Sequence, residues 1–77
     1  MIRDSAGIEK VIELTVNGES RQVPAGTTLA GLAASLDLAG KRYAIELNGG
    51  IVPRSAHAGT PLNLHDRVEI VVAVGGG

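Results

Sequence analysis

The 77-residue chain has no cysteine, tryptophan or phenylalanine. Without a thiol there can be no disulfide framework, thiolate nucleophile, redox pair, zinc finger or cysteine-ligated iron–sulfur site. One tyrosine, Tyr43, is the whole aromatic content. No aromatic platform for stacking nucleobases is present. Seven basic residues face eight acidic ones, for a net charge of −1, and no basic stripe is visible. Nucleic acid is therefore not an expected partner. No apolar run approaches the roughly 18 residues of a membrane span, and the stretch from Met1 to Gly7 lacks the apolar core of a secretory signal. The expectation is a soluble, cytoplasmic protein with no membrane partner. Lys10 and Lys41 are the only lysines, sparse for a protein that would form chains on itself.

What is present is aliphatic. Apolar residues make up 44% of the chain, so the core must be built from Leu, Ile, Val and Ala. The length suits one domain, and a chain this short buries only about 60% of the surface its unfolded form exposes. Regular secondary structure and tight packing have to carry it.

Met1 to Lys10 shows no periodicity and reads as a loose extension. Val11–Asn17 alternates, with Ile12, Leu14 and Val16 on one face, the pattern of a half-buried strand. Asn17-Gly18 follows, a strong hairpin signal because both positions tolerate positive φ. Ser20–Pro24 is the returning strand, polar and closed by a proline that cannot donate, hence a sheet edge. Thr27 or Thr28 can cap a helix, and Leu29, Leu32, Ala33 and Leu36 form its apolar stripe. Gly31 inside it suggests a close approach of helix to sheet. Asp37–Arg42, with Gly40, ends the helix.

Tyr43–Asn48 alternates again, with Tyr43, Ile45 and Leu47 inward. Asn48-Gly49-Gly50 turns into the very short strand Ile51-Val52, stopped by Pro53. Residues 54–66 read as a polar connection pinned by Leu62 and Leu64. In the last strand Val68, Ile70, Val72 and Val74 share one face; Arg67, Glu69, Val71 and Ala73 share the other. Three glycines, Gly75, Gly76 and Gly77, follow. The order is hairpin, helix, strand, short strand, strand. A single helix over one sheet of four to five strands makes a two-layer α+β domain. The domain spans 11–74, with 75–77 a flexible tail.

The residues carry little catalytic chemistry. His57 and His65 stand eight residues apart in the polar connection without a fixed third ligand, a poor metal pair. No nucleophile–base pair or pocket accompanies them, so no enzyme is expected. No G-x-x-x-x-G-K-[ST] pattern occurs, and the chain should not bind ATP itself. The three-glycine tail is the distinctive feature. Lacking Cβ atoms, it can thread a narrow channel and take any backbone geometry there. Its three residues reach roughly 10 Å when extended. Val71 and Ala73 lead into it from the outward face, an apolar surface suited to docking. Glu46, Arg67 and Glu69 flank that surface and would set partner choice.

The pieces Val16-Asn17-Gly18-Glu19, Gly26-Thr27-Thr28-Leu29, Ala44-Ile45-Glu46-Leu47-Asn48-Gly49, Ile51-Val52-Pro53-Arg54-Ser55, Asp66-Arg67-Val68-Glu69-Ile70-Val71 and Ala73-Val74-Gly75-Gly76-Gly77 occur in order. Together they resemble the ThiS sulfur-carrier family over Val11–Gly77. The resemblance implies a ubiquitin-like β-grasp fold and a carrier role in thiamin biosynthesis. The Gly77 carboxylate would be adenylated and converted to a thiocarboxylate, with Gly75 and Gly76 threading the partner's active site. It further implies a ThiF-type adenylating enzyme that uses ATP and Mg²⁺, a cysteine desulfurase persulfide as sulfur donor, and thiazole synthase as acceptor. Arg54 sits at a family-typical position, where it would contact the thiazole-forming partner or pair locally. Two positions depart from the pattern. Ala56-His57 stand where an aromatic residue is common, and His65-Asp66 where Gly-Asp is common. A MoaD-like carrier for molybdopterin, or one for cysteine or a secondary metabolite, keeps the same mechanism. A ubiquitin-like module that only binds is the alternative of another class.

Overall fold

The computed structural model describes residues 10–38 and 40–73. The elements are β1 (Val11–Val16), β2 (Glu19–Pro24), α1 (Leu29–Ser35), β3 (Tyr43–Leu47), β4 (Gly50–Val52), a 3₁₀ helix (Arg54–Gly59) and β5 (Arg67–Val72). One mixed five-stranded sheet runs in the order β2-β1-β5-β3-β4, so the last strand lies at its centre. β1 and β5 are parallel; the other neighbours are antiparallel. The expected α+β fold is realised as a ubiquitin-like β-grasp.

Alternation explains the layers. Leu14, Val16, Val23, Ile45, Val68 and Ile70 are buried on the face covered by Leu29, Leu32 and Ala33 of α1 and by Leu62. The opposite face has no covering layer among the described residues. Both hairpins turn through Asn-Gly with both residues at positive φ: 52° and 83° at Asn17-Gly18, 53° and 89° at Asn48-Gly49. That backbone twist matches the flanking strands.

Of the two candidate caps, Thr28 closes the helix: its hydroxyl oxygen accepts the Gly31 N–H at 3.1 Å. The helix ends earlier than Gly40. Asp37 takes the left-handed conformation, φ 61°, and the Leu38 N–H bonds the Ala33 carbonyl while the Asp37 N–H bonds that of Ala34. This is a Schellman ending with Asp where glycine is usual, and it turns Leu38 inward as part of the core. Gly31 does not serve close packing. It is exposed, and a Cβ there would meet only Thr27 and Thr28 side-chain atoms at 3.6 Å.

Four further expectations change. Leu64 does not pin the connection but is 55% exposed. Leu62 alone does so, held by its N–H bond to Thr27 O at 2.9 Å. The connection is not simply polar: it forms the 3₁₀ helix and buries His57. Val72, expected inside, is exposed because β5 runs on past the end of β1; Val74 lies outside the described residues. Lys10, counted with the extension, already belongs to the ladder, its carbonyl accepting the Ala25 N–H at 2.9 Å.

The two positions that depart from the pattern of the resemblance each have a defined setting. His57 stacks on Tyr43 with centroids 5.8 Å apart. His65 takes φ 69°, the region that makes glycine the common residue there. Asp66 keeps its place for another reason. Its carboxylate accepts from the Asn63 N–H at 2.7 Å and from Asn48 Nδ2 at 3.0 Å, closing the turn into β5.

Candidate functional site

The candidate site is the open sheet face and the end of β5 that leads into the tail. Alternation along β5 buries Val68 and Ile70 and turns Arg67, Glu69 and Val71 outward. β3 does the same with Ala44 and Glu46. The register puts Ala44 opposite Val71 and Glu46 opposite Glu69. On the other side of Glu46 stands Ile51 of β4. Val71 is 69% exposed and Ile51 72%, high for large apolar side chains in the middle of strands. The face thus carries an apolar strip, Val71 with Ala44 and Ile51, crossed by a pair of carboxylates.

Two carboxylates directly across a ladder repel one another. Among the described residues neither forms a salt bridge. Arg67, the neighbouring cation on β5, sends its guanidinium towards Gly49 at the β3–β4 turn. Its backbone N–H is taken by Asn48 Oδ1 at 2.9 Å.

The fold therefore gathers Val71, Glu46, Arg67 and Glu69 on one face, with Ala73 continuing the outward series. Arg54 is not among them. Its guanidinium lies 4.2 Å from the centre of the Tyr43 ring, on the side of the sheet that bears the helices. Nη2 donates to the Lys41 carbonyl at 3.2 Å. Behind the Tyr43 ring lies His57, whose Nε2–H donates to Val52 O at 2.9 Å. A carbonyl can only accept, so Nε2 carries the proton and Nδ1 is left as the buried atom without a partner. Arg54 and His57 thus both stack on Tyr43. Tyr43 sits opposite Val72, and the Arg42 carbonyl accepts the Ala73 N–H at 3.0 Å.

Residue-by-residue reading did not place Arg42 and Tyr43 beside Ala73 and Val72, with Arg54 and His57 against Tyr43. The lone aromatic was the signal available, because a single ring in an aliphatic chain marks where cations can stack. Gly75, Gly76 and Gly77 lie outside the described residues. An open groove of about 600 Å³, lined by Arg21, Pro24, Thr28 and Ser35, lies between β2 and α1, away from β5. Among the described residues no three His, Asp or Glu side chains gather as metal ligands, and no helix is long and apolar enough to cross a membrane.

Comparison with known proteins covers both sequence and shape. Residues 10–77 match the ThiS family. The thiazole synthase of Paramagnetospirillum magneticum is 38% identical over 66 residues, which is 86% of this chain and 20% of that protein. The chain thus spans about a fifth of the length of that relative. The uncharacterized protein ycf40 of Porphyra purpurea is 37% identical over 70 residues, 91% of this chain and 99% of that one. In shape, the chain is similar to the thiamine biosynthesis protein (ThiS) of Geobacter metallireducens: TM-score 0.73, 32% identity, 86% of this chain and 100% of that one.

Proposed function

Because the chain belongs to the ThiS family, small ubiquitin-like carrier proteins of thiamin biosynthesis, we propose that it carries sulfur on the carboxyl group of Gly77. It acts as a protein cosubstrate rather than a catalyst. The observation that carries this reading is the course of β5. The central strand emerges at the exposed Val71 and Ala73 and continues into three glycines.

A carboxylate, ionised at neutral pH, is a poor electrophile. Its oxygen attacks the α-phosphorus of ATP on a ThiF-type partner that supplies Mg²⁺, and pyrophosphate leaves. The outer sulfur of a desulfurase-derived persulfide then attacks the acyl carbon and AMP departs. A thiol cleaves the resulting S–S bond, leaving the thiocarboxylate. With no cysteine in the chain, the sulfur has no side chain to occupy. Similarity to a thiazole synthase supports an acceptor that builds the thiazole ring. The open face carrying Val71, Glu46, Glu69 and Arg67 is the docking surface in this scheme.

Intact mass spectrometry after incubation with the adenylating enzyme, ATP and a sulfur source tests the proposal. The expected product is heavier by the difference between one sulfur and one oxygen. A variant with one residue added after Gly77 should fold normally and fail to support ATP–pyrophosphate exchange. Exchange at the wild-type rate by that variant would overturn the assignment of Gly77.

A further inference from the structure

We infer that Arg42 and Arg54 form a cationic collar around the root of the tail, and that the partner mouth receiving the tail is lined with acidic side chains. This rests on the carrier reading above and names the chemistry of the surface the carrier meets.

Three observations place the collar. First, the Ala73 N–H bonds the Arg42 carbonyl at 3.0 Å, continuing the register that pairs Ala44 with Val71. By alternation Arg42 falls on the open face, beside the last described residue before the tail. Second, Arg54 stands on the opposite face. Its guanidinium is 4.2 Å from the Tyr43 ring centre, and the register puts Tyr43 opposite Val72. The two cations therefore flank Val72 and Ala73 from both sides of the sheet. Third, Arg54 is held in place. The Lys41 carbonyl accepts from Nη2 at 3.2 Å, and the buried His57 ring backs Tyr43 at 5.8 Å. A guanidinium fixed in this way loses little rotamer freedom on meeting a carboxylate.

Among the described residues the collar has no paired counter-charge. Arg42, Arg54 and the adjacent Lys41 are exposed, and none forms a salt bridge among the described residues. The carboxylates of Glu46 and Glu69 sit four register positions away, about 13 Å at strand rise, beyond the screening length of about 8 Å at physiological salt. The face thus divides into an acidic middle and a basic root. Val74–Gly77 extended spans at most roughly 14 Å. The collar can therefore touch the rim of a tail-binding channel while the terminal carboxyl lies deep inside. A role in steering and seating follows, rather than contact with the nucleotide.

The test measures association of the full chain with its ThiF-type adenylating enzyme by stopped-flow over a range of ionic strength, with ATP–pyrophosphate exchange read separately. Arg42→Glu with Arg54→Glu should slow association about tenfold at low salt and flatten its salt dependence. Arg42→Glu alone, at an exposed site whose side chain forms no hydrogen bond or salt bridge among the described residues, should give part of that loss with an unchanged melting temperature. Unchanged association with a raised KM for ATP would instead put the cations on the nucleotide and overturn the inference. So would equal losses in Arg54→Gln and Arg54→Glu at every salt concentration, the mark of a purely structural Arg54. Salt-dependent binding without pyrophosphate exchange would sink the carrier reading and keep the acidic mouth. A wild-type chain that does not bind overturns both.

Discussion

The side-chain amide of Asn17 completes the backbone pairing of Ile70, 53 residues away. Oδ1 accepts the Ile70 N–H at 2.8 Å and Nδ2 donates to the Ile70 carbonyl at 3.2 Å. β1 stops at Val16, so β5 loses its parallel neighbour there, and the amide stands in for one more peptide group. Asn17→Gly keeps the positive φ but removes both bonds. It should cost about 1–2 kcal/mol, read as a lower denaturant midpoint with an unchanged m-value. A loss below about 0.3 kcal/mol would show that water replaces the amide without penalty.

His57 is buried beneath Tyr43 and bonded to Val52 O. His57→Ala removes the ring, the bond and the backing of the Arg54–Tyr43 contact. The expected loss is about 2 kcal/mol or more, a drop in melting temperature of roughly 10 °C for a domain this size. A variant that melts with the wild type would mean the stacking on Tyr43 contributes nothing to stability.

Gly31 lies in the helix at ordinary φ with room for a methyl group. Gly31→Ala should stabilise the domain by about 0.5–1 kcal/mol through the backbone entropy lost on folding. Destabilisation would mean the neighbouring Thr28 cap is disturbed. Calorimetry reads either sign.

Glu46 and Glu69 face each other directly. Glu46→Lys turns repulsion into attraction and should raise stability by about 0.5 kcal/mol at low salt, fading as salt is added. If this face docks the adenylating enzyme, the same change should weaken binding. Val71→Asp should do so more than tenfold while barely moving the melting temperature, because Val71 is 69% exposed. Titration calorimetry separates the two effects; unchanged binding by Val71→Asp would move the docking surface elsewhere.

Sequence pattern revealed much of this. Alternation in Val11–Val16, Tyr43–Leu47 and Arg67–Val72, the two Asn-Gly turns and the helical stripe over Leu29–Ala33 are local signals, and each marks its own element. The outward direction of Glu69 and Val71 followed from the same period of two. His57 and Leu64 were misjudged for one reason. In a segment without periodicity, burial depends on what packs against each residue: the 3₁₀ helix turns His57 inward, and the separate turn at Leu64-His65 leaves Leu64 exposed.

By itself the sequence determined the chemistry open to this protein. Without cysteine, no side-chain thiol is available to carry sulfur, and Gly75, Gly76 and Gly77 have no Cβ to hinder threading. Tertiary structure decided what surrounds Val72 and Ala73. β5 lies at the centre of the sheet because β1 and β3 pair on either side of it. That pairing sets Arg42 beside Ala73, and the 3₁₀ helix sets Arg54 over Tyr43. Contacts between residues tens of positions apart arise from strand order and register, which no local spacing records.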